Sequence, residues 1–389
     1  MLGSQVSHLA IPLAAVLVLG ANEQQMGFLG AATNLPFFFF GLLAGIWADR
    51  MRRRPLLIGI NVSSGVLIGS VPVAAALGFL SMSQLYLVAF GMGVFDVLGI
   101  ATYQAFIPSL VGRRRLIEAN SKLEISSSAA IVLGPGLGGI LVQTFTAPIA
   151  VAVDAVSFLV AALGLTAIKK QESAPSVEKR LSLINQIREG LGVIWGDRRL
   201  RLIMACGATH NFFLNGMLAA IYVLYMVRSL GLSPAAVGIV YAAAGPGVLL
   251  GALLAGRIPR RIGVGPTIAH MQTLTGVSRF LIASAVWIPQ PVVLPVLMAG
   301  EFLLGIARPI FNVNQVSLRQ SLTPDRLLGR MNASIRFLMW TATPIGALAG
   351  GMIASRVGLP TAVTLAAIGG LVAAIWVYLP TVWRIRADR

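Results

Sequence analysis

Five ionisable residues sit inside stretches that are otherwise apolar: Asp96, Asp154, Arg279, Glu301 and Arg308. Each such group costs several kcal/mol at the centre of a bilayer unless it is paired or wet, so these are the places to look for chemistry in a membrane protein. A carboxylate held there can load and unload a proton, because desolvation favours the neutral form and a nearby cation favours the charged one. The rival role is an ion pair that only orients helices. Glu301 and Arg308 are two turns apart, about 10.5 Å along one helix face. Nothing points to metal or covalent catalysis. The single Cys206 lies in an apolar stretch, and the chain has no HExxH, no GxSxG and no phosphate-binding GxxxxGK[ST]. An enzyme is therefore not expected, and neither is a metal or any other cofactor.

The stretches that must position these residues are long and numerous. Hydrophobic residues make up 57% of the 389 and charged residues 11%, whereas a soluble domain carries about 25% charged residues. Apolar runs of about 20 residues, the length a bilayer core demands of a helix, begin near Leu2, Met26, Leu56, Leu85, Ile125, Ile149, Leu202, Ala236, Thr267, Val292, Met331 and Gly358. Twelve membrane spans are predicted. No basic segment precedes the first of them, so a cleavable signal peptide is not expected.

The net charge of +17 raises the possibility of a nucleic-acid partner, but the positions of the basic residues argue otherwise. With the first span entering from the cytoplasm, 26 of the 30 Lys and Arg fall in alternate loops, at 50–54, 113–122, 169–201, 257–261, 319–336 and 384–389. Only Arg228 and Arg356 fall in the opposite loops. This is the positive-inside pattern, so the charge reports topology, with both termini cytoplasmic and a lipid bilayer, not nucleic acid, as the surroundings.

The chain also repeats itself. A shift of 211 lays Leu42-Leu43-Ala44-Gly45 on Leu253-Leu254-Ala255-Gly256 and Gly27 on Gly238. A shift of 212 lays Ser109-Leu110 on Ser321-Leu322, Asn120 on Asn332, Gly134 on Gly346 and Gly138-Gly139 on Gly350-Gly351. Two six-helix halves are expected, at 1–168 and 202–389. Between them, residues 169–201 form a polar linker in which Leu183, Ile184, Ile187, Leu191 and Ile194 recur at helical spacing. That spacing predicts an amphipathic helix under the membrane, the alternative being a solvated connector.

Two motifs add a family. The spacing Gly45-x-x-x-Asp49-Arg50-x-x-Arg53-Arg54 resembles the loop between helices 2 and 3 of the major facilitator superfamily, although Arg52 stands where glycine is commoner; the second copy keeps Gly263 and has Arg260 at the place of Asp49. Gly134-Pro135-Gly136-Leu137-Gly138-Gly139, after Ala130, resembles the helix-5 signature of the superfamily's exporters. Tyr103 to Val111, Arg115 to Ser121, and Asp154 with Ser157-Phe158 are similar to the branch that contains the enterobactin exporter and the macrolide efflux pumps.

The resemblance implies an all-α integral membrane protein with the major facilitator fold. Spans 1, 4, 7 and 10 would line a central cavity, which puts Asp96, Glu301 and Arg308 on the substrate path and leaves Asp154 and Arg279 on peripheral spans in structural roles. Asp96 and Arg308, equivalent under the shift of 212, are expected to face each other, with Asp96 the first choice of proton carrier and Glu301 the second. Gln5, His8, Asn34, His210, Asn211, Phe212 and Asn215 complete the lining, and Asn211 and Asn215 share a helix face. Asp49 would latch a gate between the halves. The function implied is proton-coupled export of a bulky amphipathic small molecule (a drug, macrolide or siderophore) across the cell membrane, by a monomer. Import, lipid (lysophospholipid) transport, a channel and a non-transporting sensor or scaffold are the alternatives.

Overall fold

A computed structural model describes residues 1–41, 51–112, 115–168 and 183–385. All regular structure among them is helical. The first six long helices are α1 Leu2–Leu17, α2 Glu23–Phe40, α3 Arg53–Ala76, α4 Met82–Val111, α5 Leu116–Thr144 and α6 Ala147–Ala167. After a linker helix, Leu183–Gly196, come α7 Arg198–Ser229, α8 Pro234–Leu254, α9 Val264–Ala283, α10 Gln290–Ser321, α11 Leu328–Val357 and α12 Leu359–Tyr378. Single turns at Ile258–Ile262 and Pro380–Trp383 complete the chain.

The helix ends follow from local chemistry. Asn22 opens α2 with a capping box, its Oδ1 accepting from the Gln25 amide and its own amide donating to Gln25 Oε1, both at 2.9 Å. Asp197 opens α7 by accepting from the Arg199 amide at 2.7 Å. It also receives the Arg199 guanidinium, whose hydrogen bonds hold the Asp197 carboxyl below the usual carboxylate range. Arg54 closes α6 by donating to the carbonyls of Leu165 and Thr166 at 2.9 and 2.6 Å, a cation at the negative end of a helix dipole.

Nine of the helices are long and apolar enough to cross a membrane by composition alone. The other three long helices fall short for stated reasons. With 16 residues α1 is brief, α2 carries Glu23, Gln24, Gln25 and Asn34, and α9 carries His270, Gln272 and Arg279. Polar residues of this kind are tolerated because they face other helices: Gln272, for example, is fully buried and donates to the Gly370 carbonyl at 3.1 Å. Val66, Phe79, Leu87 and Leu163, by contrast, are more than 60% exposed, as residues bathed in lipid must be.

The repeat in the sequence becomes a pair of matching helix crossings. A methyl group placed on Gly139 of α5 would lie 2.8 Å from Gly238 Cα of α8, and one on Gly351 of α11 would lie 2.9 Å from Gly27 Cα of α2. Gly27 is the repeat equivalent of Gly238, and Gly139 of Gly351. Each half thus supplies one partner to each crossing, and only residues without a side chain permit the backbones so close.

At one end the halves are tied together. Arg228 Nη2 donates to the carbonyls of Gly20 and Ala21 at 2.9 and 2.7 Å, with Glu23 3.8 Å from its other nitrogen, and Gln24 reaches Ser355 at 3.2 Å. Toward the other end α5 loses its neighbours: Ser121, Lys122, Glu124, Ile125 and Ser126 are all exposed. The linker helix does not lie free. Ile194 is buried against Met331 and Ile335 of α11, and Glu189 is ion-paired with Arg330.

Candidate functional site

Of the cavities between the halves, two are lined by both Asn34 of α2 and Asn215 of α7. The first, about 270 Å³, belongs mainly to the first half. His8 of α1, Asp96 of α4 and Asp154 of α6 contribute its ionisable groups, and Asp96 lies within electrostatic reach of both the others. Asp154 is fully buried, and its Oδ1 accepts from Ser157 at 3.0 Å while its Oδ2 has no geometric partner. A methyl group on Gly3 would sit 2.5 Å from Asp154 Oδ1. The bare glycine is therefore what lets α1 press against α6 and bring Asp154 into the cavity. This corrects the expectation that Asp154 is peripheral: the helix is outer, but its carboxylate points inward.

The second cavity, about 400 Å³, is walled by the second half. Helix α7 contributes His210, Asn211 and Asn215 from a stretch that switches to π-helical hydrogen bonding over Asn211–Leu218. Asn215 donates to Asn211 Oδ1 at 2.7 Å, and Asn211 donates to the Met339 carbonyl at 2.8 Å. His210 lies flat against Phe311, ring centroids 6.3 Å apart, with Nδ1 3.2 Å from Gln272 Oε1. Asn34, expected in the lining, is there with its amide turned onto the Gly30 carbonyl.

One expected pairing is absent, and Glu301 has an unforeseen partner. Glu301 pairs with Arg279 of α9 at 2.6 Å, not with Arg308, and the pair is nearly enclosed, with Arg279 stacked 5.5 Å over the Tyr222 ring. Arg279 leans inward from the neighbouring helix and reaches Glu301 first. Asp96 and Arg308 line different cavities. Residues exchanged by a two-fold are equally distant from its axis, and here each stays in the cavity of its own half.

Sequence reasoning also missed two cationic residues. Arg319 and Arg336 were assigned to a basic loop, yet they lie on α10 and α11 and line the second cavity. For Arg336 the signal is position, since it stands inside α11 and the apolar run continues past it; Arg319 lies in the last turn of α10, where nothing in the sequence separates it from a loop cation.

Pro135 and the helix-5 glycines do what close packing requires. A methyl group on Gly238 would meet the Pro135 carbonyl oxygen at 2.6 Å, one on Gly138 would meet Val6 Cα at 3.3 Å, and Gly134 abuts Gln5. Of the motif after α2, Gly45, Asp49 and Arg50 lie outside the described residues. Arg53 begins α3, and Arg52 precedes it in extended backbone, with φ −64°, where the second copy turns at Gly263 with φ +95°. No group of three or more His, Cys, Asp or Glu among the described residues is arranged to hold a metal ion.

Comparison with known proteins fits this architecture. A major facilitator family model described as a transmembrane secretion effector matches residues 3–388. The chain is 25% identical over 371 residues to the multidrug efflux pump Tap of Mycobacterium tuberculosis, covering 92% of this chain and 85% of that one. It is 25% identical over 374 residues to the enterobactin exporter EntS of Salmonella paratyphi A, covering 93% and 84%. Among solved structures, a bacterial homologue of the lysosomal transporter Spinster, inward-facing and unoccupied, superposes with a TM-score of 0.76 at 13% identity, covering 100% of this chain and 96% of that one. A bacterial homologue of the iron transporter ferroportin gives 0.69 at 16%, covering 97% and 96%. The chain therefore belongs to the transmembrane secretion effector family of the major facilitator superfamily and is a multi-pass membrane transporter.

Proposed function

We propose that the protein is a proton-coupled exporter of bulky amphipathic small molecules in the cell membrane, acting by alternating access between halves 1–168 and 202–389. The observation that carries the proposal is the pair of membrane-embedded carboxylates, Asp96 and Asp154, on the wall of a cavity between the two halves. A carboxylate so placed changes its hydration whenever the halves rock, and that change is what drives proton uptake and release. The distribution of basic residues supports a cytoplasmic location for both termini, which puts the end tied by Arg228 outside. The relatives named as a multidrug efflux pump and an enterobactin exporter support export as the direction.

The protein works as a monomer in this reading, with substrate and proton using one cavity system in turn. Asp96 remains the first choice of carrier, now with His8 and Asp154 as its neighbours in place of Arg308. Cells expressing the protein should accumulate less of at least one dye, macrolide or siderophore in a panel, and an uncoupler should erase the difference. Asp96→Asn should abolish uphill export while leaving downhill exchange insensitive to pH. Uncoupler-sensitive export by Asp96→Asn would move the proton elsewhere, with Asp154 tested next.

A further inference from the structure

We infer that the cavity of the second half binds the acidic group of an anionic amphiphile, so that the transported molecule carries a carboxylate, phosphate or similar anion. The inference rests on the transport reading above and narrows its substrate class.

Four guanidinium groups line this cavity: Arg279, Arg308, Arg319 and Arg336. Only Arg279 has a carboxylate partner, Glu301. Among the described residues no hydrogen bond or ion pair reaches Arg308 or Arg336, and both side chains are exposed to the cavity despite their positions within long helices. Arg319 is 8% exposed, its Nε has no partner, and its Nη1 donates only weakly to the Met339 sulfur at 3.9 Å. An uncompensated buried cation such as Arg319 is expensive unless something else supplies the opposite charge, and the cavity-facing guanidinium groups of Arg308 and Arg336 are free to meet the same counter-charge. Every other described carboxylate is elsewhere. Glu23, Glu189 and Asp197 face Arg228, Arg330 and Arg199, Glu118 faces Lys122, Glu124 and Asp325 are exposed away from the cavity, and Asp96 and Asp154 belong to the other cavity.

The shape of the site suits one kind of counter-charge. Guanidinium forks match the planar geometry of carboxylate and phosphate oxygens and bind them in pairs of hydrogen bonds. Asn312 and Asn332 add neutral donors beside them, while Phe311, Met339 and Trp340 offer an apolar wall for the rest of the molecule. The volume of 400 Å³ is within the range of small-molecule sites, which runs from about 300 to 1,000 Å³. A cationic amphiphile of the same size meets three like charges there.

The test uses three dansyl probes of similar size with the purified full-length protein in maltoside micelles: dansyl-aminoundecanoic acid, its methyl ester, and the cationic amine dansylcadaverine. The acid should bind about tenfold or more tightly than the ester or the amine, a difference of about 1.4 kcal/mol. Arg308→Gln and Arg336→Gln should each erase most of that preference, and Arg308→Lys should keep part of it. Both side chains project into open space, so their truncation leaves no packing defect. Equal binding of acid, ester and amine, or an acid preference that survives both substitutions, would overturn the inference. Binding at equilibrium needs no gradient, so an acid preference in a protein that exports nothing uphill would sink the transport reading alone. Uphill export of the amine with no acid preference would sink this inference alone.

Discussion

The two cavities are walled by opposite charges although the helices around them are copies. His8, Asp96 and Asp154 face the first, and Arg308, Arg319 and Arg336 face the second. Around both, the glycine crossings are retained position for position: Gly139 on Gly238, and Gly351 on Gly27. The difference teaches that the repeat preserves the close backbone contacts between the halves, whereas the side chains that line the cavities have diverged. Backbone proximity is needed twice, once on each side of the axis. In the proposed reading a proton carrier and an anion clamp are each needed once.

The comparison also separates acids that look alike in sequence. Glu301 and Asp96 are both carboxylates in mid-span, but Glu301 is locked to Arg279 and Asp96 is open to a cavity. Breaking a buried pair by removing one partner costs about 3–5 kcal/mol, since the remaining charge is stranded. Glu301→Gln should therefore lower the thermal unfolding midpoint of the detergent-solubilised protein sharply, while Asp96→Asn leaves it within a degree or two and loses coupling. Matching stability losses in both would erase the distinction between structural and cavity acids.

The symmetry of the crossings gives the next effect. Gly139→Val and Gly351→Val each drive a side chain into backbone, and overpacking of this kind costs about 1–3 kcal/mol. The two substitutions should reduce the yield of monodisperse protein to a similar extent, measured by size-exclusion chromatography. A severe loss in one and none in the other would mean that only one crossing constrains the halves.

The smallest effect concerns the tied end. Arg228→Ala removes the donor to the Gly20 and Ala21 carbonyls, and hydrogen bonds from a charged group are worth about 1.5–3 kcal/mol. The resting population should shift toward opening at that end. A cysteine placed at Ser7, inside the first cavity, should then react faster with an impermeant thiol reagent added from the side of Arg228. An unchanged rate would leave the glycine crossings as the main closure.

Much of the fold was legible because it follows from one-dimensional rules. Span length, the alternation of basic loops and a nearly constant repeat offset together predict twelve helices in two halves, and the structure has them. The linker helix was legible in the spacing of Leu183, Ile184, Ile187, Leu191 and Ile194. Its docking on α11 through Ile194, Met331 and Ile335 was not, because an apolar stripe says only that something covers it. The Asn211 and Asn215 pair was readable from their spacing along one helix, and the hydrogen bond between them is made within that helix.

The site was less legible, for a consistent reason. Asp96 and Arg308 were matched through the repeat yet line different cavities, and Glu301 was placed on the substrate path when its partner, Arg279, came from another helix. Arg319 and Arg336 looked like loop cations because positive charge near a span end normally marks topology. Asp154 looked peripheral because its helix is, until Gly3 lets α1 approach it. The sequence by itself thus determined what crosses the membrane, which loops stay with the basic side, and where backbones must touch, since hydropathy, charge bias and glycine position act locally. Only the tertiary structure decided which acid meets which arginine and which charges share a cavity, since those contacts join helices far apart in the chain and depend on how each helix is rotated about its axis.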